Sequence, residues 1–146
     1  MKYILLLFFI CSSILLSAKG FKINIKTVIK PYSIKIEKVE NLGGKTLVYG
    51  EIKQQERFSY SVEFADCAVI TSSNANGIAG ELIEWNDNKK IPFTMKPISD
   101  KKEESFVLAF PEGSIPETGK FDLKIGTTQN KNRTELIIQN LTLQKK

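Results

Sequence analysis

After residue 20, apolar and polar side chains alternate with a period of two over much of the chain. In "FKINIKTVIK", Phe21, Ile23, Ile25, Thr27 and Ile29 alternate with Lys22, Asn24, Lys26, Val28 and Lys30. A strand points successive side chains to opposite faces, so this pattern predicts one apolar face and one face carrying three lysines. Pro31 interrupts it, and "SIKIEKV" resumes with Ile34 and Ile36 inward. The stretch from Asn41 to Gly44 reads as a turn, because its two glycines accept positive φ. "KTLVYGEIK" follows. Then comes "RFSYSVEF", in which Phe58, Tyr60, Val62 and Phe64 alternate with Arg57, Ser59, Ser61 and Glu63. Slipping its register by one residue would bury Arg57 and Glu63, so the register is firmly set.

"CAVIT" reads as a further short strand closed by the polar "SSNANG" loop. "ELIEW" and "IPFTMK" flank "NDNKK", whose Asn and Asp content suits a hairpin turn. "KPISDKKEES" reads as a charged loop, and "FVLAF" as a buried strand ended by "PEGSIPETG". "KFDLKI" alternates again with Phe121, Leu123 and Ile125 inward; "GTTQNKN" turns the chain and "TELIIQNLTLQ" closes it. No stretch after residue 20 keeps a helical period over three turns. About nine strands spaced by roughly 10–12 residues predict an all-β, antiparallel sandwich of seven to nine strands. A small closed β-barrel is the alternative, since strand number does not separate the two.

The segment before residue 21 follows another rule. Lys2 precedes an almost unbroken apolar run from Tyr3 to Leu16, which suits an export signal and falls short of the roughly 20 residues a bilayer-spanning helix needs. Cleavage after Gly20 places Ala18 and Gly20 at the two specificity positions; cleavage after Ala18 places Leu16 at the outer one. The expected organisation is a signal peptide over 1–20 and one domain over 21–146, with no transmembrane span in the mature chain. Cys11 lies inside the apolar run. Lipidation there, the alternative, would require a cut after Phe9-Ile10 and would leave an apolar tail on the mature chain.

Composition narrows the chemistry. The full 146 residues carry 21 basic and 16 acidic side chains; without Lys2 and Lys19 the balance becomes 19 to 16, or +3. So mild a charge gives no footprint for nucleic acid. Histidine is absent from the whole chain. That removes Ser-His-Asp and Cys-His catalysis, His-ligated zinc and the usual base near neutral pH. Cys67 is the one cysteine outside the leader. It cannot form an intramolecular disulfide or a thiolate metal site, and its apolar neighbours in "VEFADCAVIT" favour an inert core thiol. No cofactor and no metal are expected.

The succession "FSYSVEF", "FVLAFPEG", "FDLKIG" and "TELIIQNL" resembles the small exported immunoglobulin-like β-sandwich proteins of bacteria, over most of residues 21 to 143. The chain departs from true immunoglobulin domains in lacking paired core cysteines and a tyrosine corner, and Trp85 follows Cys67 at a longer interval than usual. The resemblance implies a shape and a compartment, and no activity.

Several residues carry two readings each. Lys22, Lys26 and Lys30, with Lys35 on the next strand, could form a basic stripe for anionic glycans or lipid head groups, or could guard a sheet edge against aggregation. Trp85 could be a stacking platform for a sugar ring or a partner anchor, or could simply fill the core. Asn86, Asp87 and Asn88 offer oxygen ligands but match no calcium-loop spacing. Glu37, Glu51 and Glu63 sit in period-two segments, where an outward, solvated carboxylate is the ordinary outcome. Asn132 and Asn140 begin glycosylation acceptor patterns, which matter only in a eukaryotic secretory pathway; the Lys-, Ile- and Asn-rich composition points to a bacterial source.

The functional expectation is a non-catalytic exported module, periplasmic or secreted, that binds a protein or glycan at the cell envelope. Contact would be through the polar loops at Ser72–Gly77 and Pro97–Ser105 or through an edge strand. The alternatives are a small carboxylate-dependent enzyme acting on glycans and a structural subunit assembling by strand exchange.

Overall fold

The computed structural model describes residues 19–30, 32–55, 62–86, 96–98, 103–129 and 131–144. Among them are nine strands: β1 (Lys19–Ile29), β2 (Tyr32–Leu42), β3 (Lys45–Gln54), β4 (Val62–Thr71), β5 (Asn74–Trp85), β6 (Lys96–Ile98), β7 (Glu104–Pro111), β8 (Phe121–Gln129) and β9 (Asn132–Leu141). Every ladder is antiparallel, in the order β1-β2-β3-β7-β5-β4-β8-β9, with β6 beside β4. The expected all-β, antiparallel class holds. The two layers belong to one sheet curled over on itself, and no ladder among the described residues joins β1 to β9 to close a barrel.

β5 makes the fold-over. Its first part pairs with β4 (Cys67 opposite Gly80), and its last part pairs with β7 (Glu81 opposite Ala109), so the strand leaves one layer and enters the other at Gly80–Glu81. β6 then pairs with β4 beside Val62 to Phe64, on the stretch that β5 does not cover. An ideal Cβ on Gly80 would lie 2.3 Å from the Phe110 ring, so the corner requires a residue without one.

Bulges supply the curl. Between the row Phe21–Val39–Val48 and the row Ile25–Ile36–Gly50, β1 has one residue more than β2, and β2 one more than β3. Each extra residue bends its strand and adds right-handed twist, so this end of the sheet fans around the core. Of the eight ladders among the described residues, only β3–β7 and β4–β6 run without a register shift.

The inner faces share one core. Ile34, Ile36, Val48, Ile52, Phe106 and Leu108 from the first layer meet Phe64, Val69, Leu123, Ile125, Leu136 and Ile138 from the second. Phe64 contacts the rings of Trp85 and Phe106, with centroids 6.1 and 6.5 Å away. Tyr32 on β2 is buried and shares a hydrogen bond with Thr127 on β8; burial raises its phenol pKa and that bond pulls it part of the way back.

Three strand assignments change, the first being Asn74–Gly77, expected in the "SSNANG" loop, which opens β5 on its ladder to β4. "VEFADCAVIT" is one strand, because a bulge at Ala65 lets Phe64, Cys67 and Val69 face the core without a break. "KPI", expected within a charged loop, is β6, held by its ladder to β4. The expected turn "NDNKK" falls mostly outside the described residues, as do Phe58 and Tyr60.

Candidate functional site

A surface cleft among the described residues lies at the end of the sandwich where β4 turns into β5 and β7 runs into β8. Thr71 and Asn74 pair across a two-residue turn, Ser72–Ser73. The Thr71 hydroxyl fixes this turn: its Oγ1 accepts from the Asn74 N–H at 3.2 Å and lies 3.1 Å from Ser73 Oγ. Opposite, the 112–120 loop is pinned by Ile115, which is buried in the core, and by Ser114, whose N–H and hydroxyl both donate to the Pro111 carbonyl. Gly113 and Gly119 take φ of 79° and 99°, which lets the loop double back without strain.

Between turn and loop is a cleft of about 160 Å³, lined chiefly by Thr71, Ser72, Ser73, Ser114, Thr118 and Lys120, with Ile78 among its apolar lining. It is smaller than the ~300 Å³ at which drug-sized ligand sites begin, so it suits a single side chain or one edge of a sugar ring. Lys120 is the one ionisable group in the lining. The arrangement offers hydroxyl donors and acceptors beside one cation, and its lining contains no pair of groups able to pass a proton between them near neutral pH.

The structure places the sequence candidates elsewhere. Trp85 is only 7% exposed and packs against Phe64, so its ring presents no open face to a sugar. Cys67 is buried and free; burial, helped by the neighbouring Asp66 carboxylate, pushes its thiol up to about 12. Lys26 and Lys30 are exposed on edge strand β1, and the backbone of Lys22 pairs with that of Lys38. Lys35 is held by Glu37 at 2.6 Å and Glu51 at 3.4 Å, so these two carboxylates converge on a cation on the outer face. Asn86 has φ of 49°; its side-chain amide donates to buried Glu104, and its carbonyl oxygen accepts from the Ser105 N–H. Asp87 and Asn88 lie outside the described residues. Asn132 and Asn140 are both exposed on β9, and the Asn140 N–H donates to Asp122.

Sequence reasoning singled out Ser72–Gly77 and missed the other wall, Ser114, Thr118 and Lys120. The signal was present in "PEGSIPETGK", where hydroxyl residues alternate with turn formers, but only the fold brings that segment against "TSS".

No protein-family model matches the chain, and no curated protein matches it. Among solved structures it is similar to the GAE domain of GGA2p from Saccharomyces cerevisiae, at 12% identity and a TM-score of 0.37, over 80% of this chain and 94% of that one. A likeness of that degree assigns no activity or partner. Among the described residues, no helix is long and apolar enough to cross a membrane, and no cluster of three or more His, Cys, Asp or Glu side chains is placed to hold a metal ion.

Proposed function

We propose that the chain is an exported, non-catalytic recognition module of the cell envelope, with the hydroxyl-lined cleft as its binding end. The observation that carries this reading is the pairing of two independently pinned loops, Ser72–Ser73 and 112–120, around a polar cleft at one end of the sandwich. Binding groups presented on loops fixed by a rigid β scaffold are a common way to build recognition. Its ligand is a protein side chain or a glycan edge bearing hydroxyl or carboxylate groups, met by Lys120 and the Ser and Thr hydroxyls. The apolar leader expected over residues 1–20 supports export.

The test is an array of envelope glycans and peptides probed with the mature protein and two variants. Thr118→Trp should fill the cleft and Lys120→Ala should remove its cation. Both should lose the bound ligand while keeping the wild-type melting temperature. The reading falls if binding survives a filled cleft, or if the protein turns over a glycan or peptide and one carboxylate substitution stops it. Mass spectrometry of the mature N-terminus checks the export step separately.

A further inference from the structure

The two edge strands of the curled sheet differ in how their outward charges are settled. On β9, Arg133 reaches both Asp66 and Glu135, and Glu135 also meets Lys124, so the charges there are paired within the molecule. On β1 they are not. The β1–β2 register sets Lys26 opposite Lys35 and Lys22 opposite Lys38, two like-charge pairs. Carboxylates hold the β2 members: Glu37 and Glu51 hold Lys35, and Glu40 holds Lys38 at 3.2 Å while the Tyr49 ring lies 4.0 Å below it. Among the described residues, Lys26 and Lys30 have no ion-pair partner, and Val28 between them is 59% exposed. On the inner face of the same strand, Ile25 and Ile29 pack on the core but stay partly open.

An edge strand with no further strand beside it among the described residues, a partly open apolar inner face, and Lys26 and Lys30 unneutralised there on its outer face is complementary to a particular kind of strand. A second copy of β1 does not fit, because lysine would face lysine across the new ladder. An acidic strand does. We infer that β1 is the acceptor edge for an extended acidic segment of another protein, added as a further strand. Because side chains alternate, its outward residues should read acidic–apolar–acidic at every second position, set opposite Lys26, Val28 and Lys30. The residues between them, opposite Thr27 and Ile29, should be apolar, to cover the partly open inner face. This site is separate from the cleft and stands or falls independently of it.

The experiment uses a synthetic peptide reading Glu-Ile-Val-Ile-Glu at its centre, with blocked ends, titrated into the mature protein by fluorescence anisotropy. The proposal expects saturable binding that weakens roughly tenfold in Lys26→Glu/Lys30→Glu, weakens with added salt, and is lost when alternate peptide amides are N-methylated. Equal binding of the N-methylated peptide would mean simple polyanion attraction and would overturn strand addition. So would absence of binding by wild type combined with self-association of Lys26→Ala/Lys30→Ala, which would make the lysines edge guards only. Both lysines are exposed, so an unchanged melting temperature should accompany each variant.

Discussion

Gly50 and Gly126 sit in the middle of strands in opposite layers, and each makes room for something a side chain would displace. At Gly50, on the inner face, an ideal Cβ would lie 2.6 Å from the Phe106 ring and 2.5 Å from the Lys35 carbonyl oxygen. At Gly126, on the outer face of β8, it would lie 2.3 Å from Asp66 Oδ1 and 3.0 Å from the Arg133 guanidinium, which bridge β4 and β9 above it. The first gap is closed by a core ring and a backbone atom. The second is closed by the ends of two half-exposed, flexible side chains. The same contact distance therefore has different energetic weight: inside, neighbours cannot yield without disturbing dense packing, whereas outside they swing into water.

The largest effect should come from breaking the inner side of this comparison. Phe64→Asp replaces a ring lodged against Trp85 and Phe106 with a carboxylate that has no partner there. A loss of about 5 kcal/mol or more, enough to unfold the domain, is expected. An unchanged melting temperature would show that Phe64 does not face the core.

Next in size is an alkaline transition at Cys67. Its thiol is raised from 9.0 to about 12 in the folded state, so the folded chain holds a proton that the unfolded chain gives up. That stability is intact below pH 9 and should fall by up to about 1.4 kcal/mol per pH unit as the pH climbs toward 12. Tyr49, raised to about 12 by burial and its bond to Glu40, should add loss in the same direction at the upper end. Urea titrations from pH 8 to 11 on wild type and Cys67→Ala check this; equal slopes would rule out the thiol as the cause.

The two glycines compare directly. Gly50→Ala should cost ~1–3 kcal/mol, as overpacked cores do. Gly126→Ala should stay within about 1 kcal/mol of wild type, since Asp66 and Arg133 can move aside. Thermal melts of both variants settle the contrast, and equal losses would contradict it.

Smallest is the acid limb. The Arg133 hydrogen bond, with Lys124 assisting, lowers the Glu135 pKa below its usual 4.5, so its contribution is present above that value and fades as pH falls through the depressed one. The pair is exposed, so Arg133→Ala should only slightly flatten the fall in melting temperature below pH 4.5, and added salt should mimic the variant.

Strand identity was legible wherever the period of two ran unbroken. Phe21 and Ile23, Ile34 and Ile36, and Phe121, Leu123 and Ile125 all face the core as their spacing implies. Legibility failed at bulges. Phe64 and Cys67 lie three apart yet share a face, so the sequence there reads as a strand that stops and another that starts. Leu82 and Trp85 do the same across the shift in β5. The "NANGIAG" segment looks like loop because it lacks β-branched and aromatic residues, yet it forms the first part of β5, held by its ladder to β4. Trp85 could be read as platform or filler until its neighbours were placed, and half of the cleft was invisible because its walls lie far apart along the chain.

By itself the sequence determined the all-β class, the phase of the straight strands, and the absence of histidine chemistry. All of these follow from local periodicity or from counting. Only the tertiary structure decided that one sheet curls through nested bulges and that β5 changes layers at Gly80. Only it left Lys26 and Lys30 on the edge strand of the described sheet and brought two hydroxyl-rich loops together. These features depend on which strands become neighbours, and pairing between distant segments is set by the whole core and by no single stretch of residues.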